Sequence, residues 1–269
     1  MRQNVIIYLP TDYNSNRRKN KLFEEKNCTL LYSERKIGMI YITGDTHGIY
    51  ERFDDPRLKA LKKGDTLIIC GDFGFIWDGT KQESVILKKL SKKKYNICFV
   101  DGTHENFEML EEYEIKKWNG GKVHQLAVNI FHLMRGQVFQ IEDQTVFTMG
   151  GGESPDIDIR FEQNNWQNRE KPNVDELMEG VDNLARNDGK VDIIVTHEPP
   201  AKLKDFLLLK QEHPAPITGI NSYFEQLSDT CEYSRWFFGS LHIDKIISAN
   251  HISLFMNIVN AKTGEAVRR

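Results

Sequence analysis

Short apolar runs alternate with amphipathic stretches in the part of the chain that follows residue 38. The runs MIYIT (39–43), TLIIC (66–70) and NICFV (96–100) contain the β-branched and aromatic residues that favour strands. Helical patterns follow each run, at residues 55–62, 81–92 and 105–113. This βαβαβ order predicts parallel strands that are buried on both faces.

The middle of the chain has shorter strand-like segments separated by turn residues. These segments are VHQLA, IFHLMR, VFQIE and TVFTMG. Such spacing predicts antiparallel pairing. A helix at 174–187, with Asn173 as its N-cap, precedes a strand at 191–196, and the apolar run HISLFMNIV forms the last strand. We therefore expect a two-sheet α/β sandwich rather than a simple doubly wound sheet.

The first 38 residues differ from the rest of the chain. Residues 14–26 are mostly Asn, Arg, Lys and Glu, and only Leu22 and Phe23 are apolar. Such a segment cannot offset its ordering entropy by burial, so we expect a mobile or loosely attached extension, with an arm packed on the surface as the alternative. The strand pattern begins abruptly at Met39, which suggests a natural start there. The predicted organisation is an extension at 1–38, which need not belong to the fold, and a single domain at 39–269.

Composition narrows the functional classes. The chain has 269 residues, 36 Lys and Arg against 39 Asp and Glu, and a formal net charge of −3. This balance gives no overall attraction to nucleic acid or to an anionic membrane, and no apolar run approaches the ~20 residues of a membrane-spanning helix. The cysteines lack C-x-x-C spacing, and Cys70 and Cys98 lie within apolar runs. We expect a reducing, cytoplasmic location without membrane association.

Residue types that bind metals recur where the apolar runs end. Five turns carry them, namely GDTHG (44–48), GDFG (71–74), GTHE (102–105), THEPP (196–200) and GSLH (239–242). Because loops beyond the carboxyl ends of strands form the ligand crevice of α/β sheets, two Asp and four His should surround one point. His124 and His132 lie inside strand-like segments instead, and we expect them at the surface or half-buried.

Each turn alone has an ordinary explanation, since an Asp after a strand often bonds its own backbone in a turn. Five successive strand ends with Asp or His are hard to attribute to chance, and together they predict a metal centre. Mixed carboxylate and imidazole ligation suits Mn²⁺, Fe²⁺ or Zn²⁺. The sequence has no Walker-type loop and no G-x-S-x-G elbow. Metals about 3.5–4 Å apart can clamp a phosphate, so the pattern indicates hydrolysis by a metal-activated hydroxide.

The order of these motifs resembles that of the calcineurin-like metallophosphoesterases, whose motifs are D-x-H, G-D, G-N-H-E/D, a later His and G-H-x-H. The matching positions are Asp45-Thr46-His47, Gly71-Asp72, Gly102-Thr103-His104-Glu105, His197 and Gly239-Ser240-Leu241-His242. The match runs from about residue 39 to the C-terminus. The resemblance implies a four-layer α/β/β/α sandwich with two mixed sheets and a dinuclear metal centre. It also implies hydrolysis of a phosphate monoester or diester.

The resemblance further implies a role for each matched residue. Asp45, His47, Asp72 and His242 correspond to a first metal site, and Asp72 would bridge to a second metal. His104 corresponds to the residue that protonates the leaving oxygen or stabilises the transition state. All of these positions are intact in this sequence.

The second metal site departs from the family pattern. Thr103 replaces the Asn of G-N-H, and Ser240 replaces the first His of G-H-x-H, which leaves Asp72 and His197 as conventional ligands. A neutral hydroxyl is a weaker donor than imidazole. We therefore expect one tightly held metal and a weak or exchangeable second one, with Mn²⁺ as the first choice and Fe²⁺ or Zn²⁺ as alternatives.

Arg160 is a candidate for binding substrate. It follows three glycines at 150–152, and its guanidinium could hold a phosphate bidentately, with an ordinary solvated loop residue as the alternative. The predicted substrate is a phosphorylated small molecule or a nucleotide, and a nucleic-acid substrate is an open alternative. The alternative function is a degenerate, catalytically weak protein that binds a phosphate or nucleotide and retains one metal.

Overall fold

The computed structural model describes residues 38–154, 157–163 and 165–268. Except for Gly38, the predicted extension at 1–38 lies outside the described residues. The strands are β1 (Ile40–Thr43), β2 (Thr66–Ile69), β3 (Asn96–Phe99), β4 (Ile115–Trp118), β5 (Gly121–Ala127), β6 (Ile130–Leu133), β7 (Gln137–Ile141), β8 (Gln144–Met149), β9 (Lys190–Thr196), β10 (Glu232–Phe238), β11 (Lys245–Ile246), β12 (His251–Ser253) and β13 (Ile258–Asn260).

Helices connect most of the parallel strands. The α-helices are Pro56–Lys59, Lys81–Leu90, Phe107–Glu111, Ile157–Glu162, Val174–Arg186, Ala201–Leu208 and Gly219–Thr230, and the 3-10 helices are Tyr50–Asp54 and Asn168–Glu170. Asn173 caps the helix that follows it and forms a capping box with Glu176, as the N-cap pattern predicts. Within the part of the chain described, no helix combines the length and the apolar character needed to cross a bilayer.

The strands form two mixed sheets, each with four parallel strands next to one another. The first sheet has the order β13-β1-β2-β3-β6-β5-β4, in which β1, β2, β3 and β6 are parallel. The second has the order β11-β12-β10-β9-β8-β7, in which β8, β9, β10 and β12 are parallel. The antiparallel pairing predicted for the middle of the chain occurs in β4-β5-β6 and in β7-β8.

The sheets pack face to face, and helices cover their outer faces. On β2, Ile68 points into the core between the sheets, whereas Leu67 and Ile69 pack among helical side chains. On β9, Ile193 joins the core between the sheets and Ile194 packs on the opposite, helical side. Burial on both faces explains why the central parallel strands β2 and β3 are almost continuously apolar. The predicted four-layer α/β/β/α sandwich is confirmed.

Two strands differ from the sequence-based expectation. The exposed edge strand β4 has the polar sequence IKKW, so no apolar pattern reveals it. The run HISLFMNIV, predicted as one strand, is divided between β12 in the second sheet and β13 in the first. The Asp244 carboxylate accepts the backbone N–H groups of Phe255, Met256 and Asn257, which stabilises the bend between these strands.

The expectation for His124 and His132 was wrong, because both are 5% exposed. Their rings stack with centroids 5.2 Å apart, and their Nδ1 atoms are 2.9 Å apart. His132 Nε2 lies 2.9 Å from Asp101 Oδ1, and Arg135 donates to the other oxygen of that carboxylate. These polar partners come from β6 and from the residues that follow β3 and β6, and they make burial of the pair possible.

Candidate metal centre

Several turns that carry the predicted ligands have unusual backbone conformations. The φ angles of His47, Asp72 and His242 are 46°, 45° and 51°. They lie in the left-handed region, which residues other than glycine seldom adopt. Gly71 has a φ of 108°, and a Cβ atom there would lie 2.1 Å from His197 Nδ1. Strained conformations of this kind persist where the surrounding structure fixes them, and they cluster at functional sites.

Three predicted ligands converge beyond the ends of β1 and β10. Nε2 of His47 is 2.9 Å from Nε2 of His242, and His242 Nε2 is 3.1 Å from Asp45 Oδ2. His47 Nε2 lies 3.9 Å from the same carboxylate oxygen. These atoms are close enough to share one ion, and imidazole with carboxylate is a suitable donor set for a divalent transition metal.

The Asp45 carboxylate has an unsatisfied atom that fits a cation. Asp45 is fully buried, and its Oδ1 atom has no hydrogen-bond partner. Burial raises the pKa of Asp45, while the charge of His197 and the hydrogen bond with His242 oppose that rise. A buried carboxylate oxygen without a partner is unfavourable, and a cation beside it would remove the penalty. The residues present therefore fit a divalent ion.

Asp72 lies at the centre of a second set of contacts. Its Oδ1 accepts the N–H groups of Thr103 and His104 at 2.7 and 2.8 Å, and its Oδ2 is 2.8 Å from His104 Nδ1. His47 Nδ1 lies 3.8 Å from the same Oδ2. Burial acts to raise the pKa of Asp72, but the charge of His197 and the bonds from His104 hold it well below its usual range. Asp72 therefore remains a carboxylate at neutral pH.

His197 forms a third group with the two aspartates. Its Nδ1 lies 3.0 Å from the carbonyl oxygen of Cys70 and can donate to it. Its Nε2, which lies 3.8 Å from Asp72 Oδ1, is then the ring nitrogen that can bind a metal. Burial acts to lower the pKa of His197, but Asp72 and Asp45 raise it to about 9. Asp45, Asp72 and His197 are all buried, and their ligand atoms are close enough to hold an ion.

The two non-standard positions have different surroundings. Thr103 Oγ1 is 3.0 Å from His104 Nδ1, so the hydroxyl has a partner within its own turn. Ser240 Oγ is buried without a hydrogen-bond partner. A ligand role for either hydroxyl stays a prediction.

Arg160 is only 4% exposed, because its guanidinium is occupied by protein partners. Its Nη1 atom donates to the carbonyl oxygen of Thr103, contacts Ser154 Oγ, and pairs with Glu170 at 2.6 Å. Nη2 donates to the carbonyl oxygen of Asn165. This arrangement ties the helix Ile157–Glu162 to the turn that carries His104. The phosphate contact stays a prediction, and it would require these bonds to open.

Two supporting residues were not singled out from the sequence. The buried Glu105 carboxylate accepts the backbone N–H groups of Phe73 and Gly74, and so holds the turn after Asp72. Its place in the GTHE motif was the available signal. Arg52 donates to the carbonyl oxygens of Asp45 and Phe255. Nothing in the polar segment around Arg52 indicates these distant partners.

Comparisons with known proteins agree with this geometry. Residues 38–256 match the family model described as calcineurin-like phosphoesterase. A comparison with curated proteins finds no match.

Proposed function

This chain belongs to the calcineurin-like phosphoesterase family, and on that basis we propose that it is a hydrolase that cleaves phosphate esters with the help of divalent metal ions. The observation that carries this proposal is the convergence of Asp45 Oδ2, His47 Nε2 and His242 Nε2 beside the unsatisfied Oδ1 of Asp45. The buried His124–His132 pair differs in that Arg135 also bonds its carboxylate, whereas His47 and His242 are partly exposed and lie beside a carboxylate oxygen without a partner.

We propose that Asp45, His47, Asp72 and His242 would hold the firmly bound ion, and that Asp72 would also be a ligand of a second ion. A divalent ion in this place supplies positive charge for the phosphate oxygens and makes a nearby water more acidic. The protein contributes the alignment, because the strained turns at His47, Asp72 and His242 fix where the ligand atoms lie.

The second ion would be held by Asp72 and His197, which keep their family identities. Asp45 also lies in this group, since His197 Nδ1 is 3.8 Å from Asp45 Oδ1. Thr103 and Ser240 replace stronger ligands, so this ion should exchange readily or bind together with substrate. We propose Mn²⁺ for both positions because it accepts carboxylate and imidazole ligands alike, with Fe²⁺ or Zn²⁺ as alternatives.

His104 is proposed as the group that assists departure of the alcohol. Its Nδ1 faces the Asp72 carboxylate at 2.8 Å, so a proton on that nitrogen is held by Asp72. Nε2 then becomes the ring nitrogen that presents a proton to the leaving oxygen. The side chain is 39% exposed, which keeps it accessible to a substrate.

A turnover assay with the full chain in Mn²⁺ tests this proposal. We expect hydrolysis of p-nitrophenyl phosphate or bis-p-nitrophenyl phosphate, and a loss of kcat of about 10²–10⁴-fold in His104→Ala. Asp72→Asn should abolish activity by removing the proposed bridging ligand. His213→Ala, at an exposed position, is the matched control and should keep wild-type turnover. Unchanged turnover in His104→Ala would contradict the assigned role.

The degenerate binding protein is the second candidate. It is favoured by the contact of Thr103 Oγ1 with His104, because that hydroxyl already has a partner within its turn. Bound Mn²⁺ and bound phosphate without turnover of either ester would support this candidate.

We also propose a cytoplasmic location, which is consistent with the free thiols of Cys70, Cys98 and Cys231. Cell fractionation would test it.

A further inference from the structure

A cavity of about 530 Å³ opens directly beside the proposed metal centre. His47 and His104 line one end of it, and both rings also approach the Asp72 carboxylate. A phosphoryl group held at the metal centre would therefore have this cavity as its immediate neighbour. The volume is within the range of small-molecule sites.

The apolar part of the cavity is held firmly in place. Phe75 is buried and meets the edges of Phe53 and Phe73, with ring centroids 5.8 and 4.8 Å away. Trp77 is half-buried, and its backbone is bonded on both sides. Its N–H donates to Glu83, and its carbonyl oxygen accepts from Asn106. The backbone that carries the indole is thus fixed before any ligand arrives, which reduces the entropy lost on binding.

The charged part of the cavity is acidic. Asp78 and Glu83 line it, and none of its lining residues in the described chain is Lys or Arg. Glu83 accepts hydrogen bonds from three backbone N–H groups, and these bonds partly offset its negative charge. Asp78 is exposed, and the Thr80 N–H that it accepts lowers its pKa, so it is ionised at neutral pH. Lys81 follows Thr80 in the chain but is exposed and does not line the cavity.

We infer that this cavity receives the alcohol part of the substrate and selects an aromatic alcohol that is neutral or positively charged. This inference rests on the proposed phosphoesterase function. The ring would lie against Trp77, with a cationic group near Asp78. A leaving group that carries further phosphates would be repelled by the Asp78 carboxylate, since no Lys or Arg of the described chain lines the cavity to offset that charge. The favoured substrate class is therefore an aromatic ester with a single phosphate, rather than a polyphosphate or a nucleic-acid strand.

Three phenyl phosphates test the inference with the reacting bond kept constant. Their para substituents are 2-aminoethyl, ethyl and 2-carboxyethyl, which are positive, neutral and negative at pH 7. In each case a water oxygen forms the new bond to phosphorus, the bond from phosphorus to the phenolic oxygen breaks, and the phenol leaves with a proton. The two methylene groups keep the acidity of the three phenols similar.

We expect kcat/KM in Mn²⁺ to fall from the ammonium to the ethyl to the carboxylate substrate, by roughly threefold at each step for an exposed carboxylate. Asp78→Asn should flatten this order and Asp78→Lys should reverse it. The control is Asp182→Asn, an exposed carboxylate that does not line the cavity. Asp182→Asn should keep the wild-type order.

Trp77 is tested by Trp77→Phe and Trp77→Ala. We expect Phe to retain most of kcat/KM and Ala to raise KM for all three esters, because the ring contact is lost. Equal kcat/KM for the three esters in the wild type, or an order unchanged by Asp78→Lys, would overturn the inference while leaving the phosphoesterase in place. If no ester is hydrolysed although Mn²⁺ is bound, the proposed function fails instead. Binding of the esters, followed by calorimetry, would then decide the charge preference on its own.

Discussion

At the residue scale, several polar atoms around Asp45 lack the protein partners that buried polar atoms normally have. His47 and His242 face each other, Asp45 has an unsatisfied oxygen, and Ser240 has an unsatisfied hydroxyl. These atoms are held together although each would be better solvated apart. Such an arrangement is stable when a cation is part of the folded state, because the ion binds the folded chain and not the unfolded one.

The weak second site can be tested by restoring the family residues. Thr103→Asn together with Ser240→His should tighten binding of the second Mn²⁺ by roughly tenfold or more, because an amide oxygen and an imidazole replace two hydroxyls. Calorimetric titration of the metal-depleted full chain measures this. Thr230→Asn with Ser222→His places the same two changes at exposed helical positions and should leave the titration unaltered. An unchanged second affinity in the restored variant would contradict the assignment of Thr103 and Ser240 to this site.

Single residues also show where prediction from the sequence stops. The ordered motifs predict which Asp and His residues meet, because each follows an apolar run that is recognisable as a strand. Arg160 illustrates the opposite case, since its partners Ser154 and Glu170 are brought to it only by the folded chain. The burial of His124 depends in the same way on His132 and its bond to Asp101.

At the scale of elements, the turns that follow neighbouring strands pack closely against one another. Gly102 is a clear example, because a Cβ atom there would lie 2.0 Å from Asp72 Oδ1 and 2.6 Å from its nitrogen. The close approach lets Asp72 accept the N–H groups of Thr103 and His104. The glycine is thus required by the position of the carboxylate.

Gly102→Ala should therefore separate the turn after β3 from Asp72. We expect the free energy of unfolding to fall by about 1–3 kcal/mol and turnover to fall more than tenfold. Urea unfolding and the p-nitrophenyl phosphate assay measure the two effects. The control is Gly219→Ala, because a Cβ atom at Gly219 meets nothing within 4 Å at the start of a helix. If Gly102→Ala behaves like this control, Gly102 does not position Asp72.

The positions of the strands differ in how well the sequence predicts them. The parallel strands β1, β2 and β3 are mostly buried on both faces, so their apolar runs predict them within one residue at each end. The edge strand β4 is exposed and carries two lysines, which hides it from any test of apolar pattern. The division of HISLFMNIV depends on Asp244, whose contacts with the bend could not be predicted from the run itself.

At the scale of the whole molecule, burial of a titratable pair between the strands should make stability depend on pH. Burial and the neighbouring His132 lower the pKa of His124 from its usual 6.5 to about 4, so the folded state keeps it neutral. Its contribution to stability is complete above pH 6.5, where the unfolded chain is also neutral. It is lost progressively as the pH falls from 6.5 towards 4, because only the unfolded chain takes up the proton.

We expect the free energy of unfolding to lose about 1–2 kcal/mol from this source between pH 7 and pH 5. Urea unfolding of the metal-depleted chain at a series of pH values measures the slope. His124→Gln should reduce the slope, whereas His213→Ala, an exposed histidine, should reproduce that of the wild type. Equal slopes in His124→Gln and the wild type would show that His124 is not kept neutral by burial.

The central claim is that Asp45, His47, Asp72 and His242 hold one divalent ion firmly. Its most direct test is the metal content of the full chain after loading with Mn²⁺ and exhaustive dialysis, measured by elemental analysis. We predict one Mn²⁺ ion retained per chain in the wild type and in Asp182→Asn, and none in Asp45→Asn. Two equally retained ions per chain, or no retained ion in the folded wild type, would contradict the account.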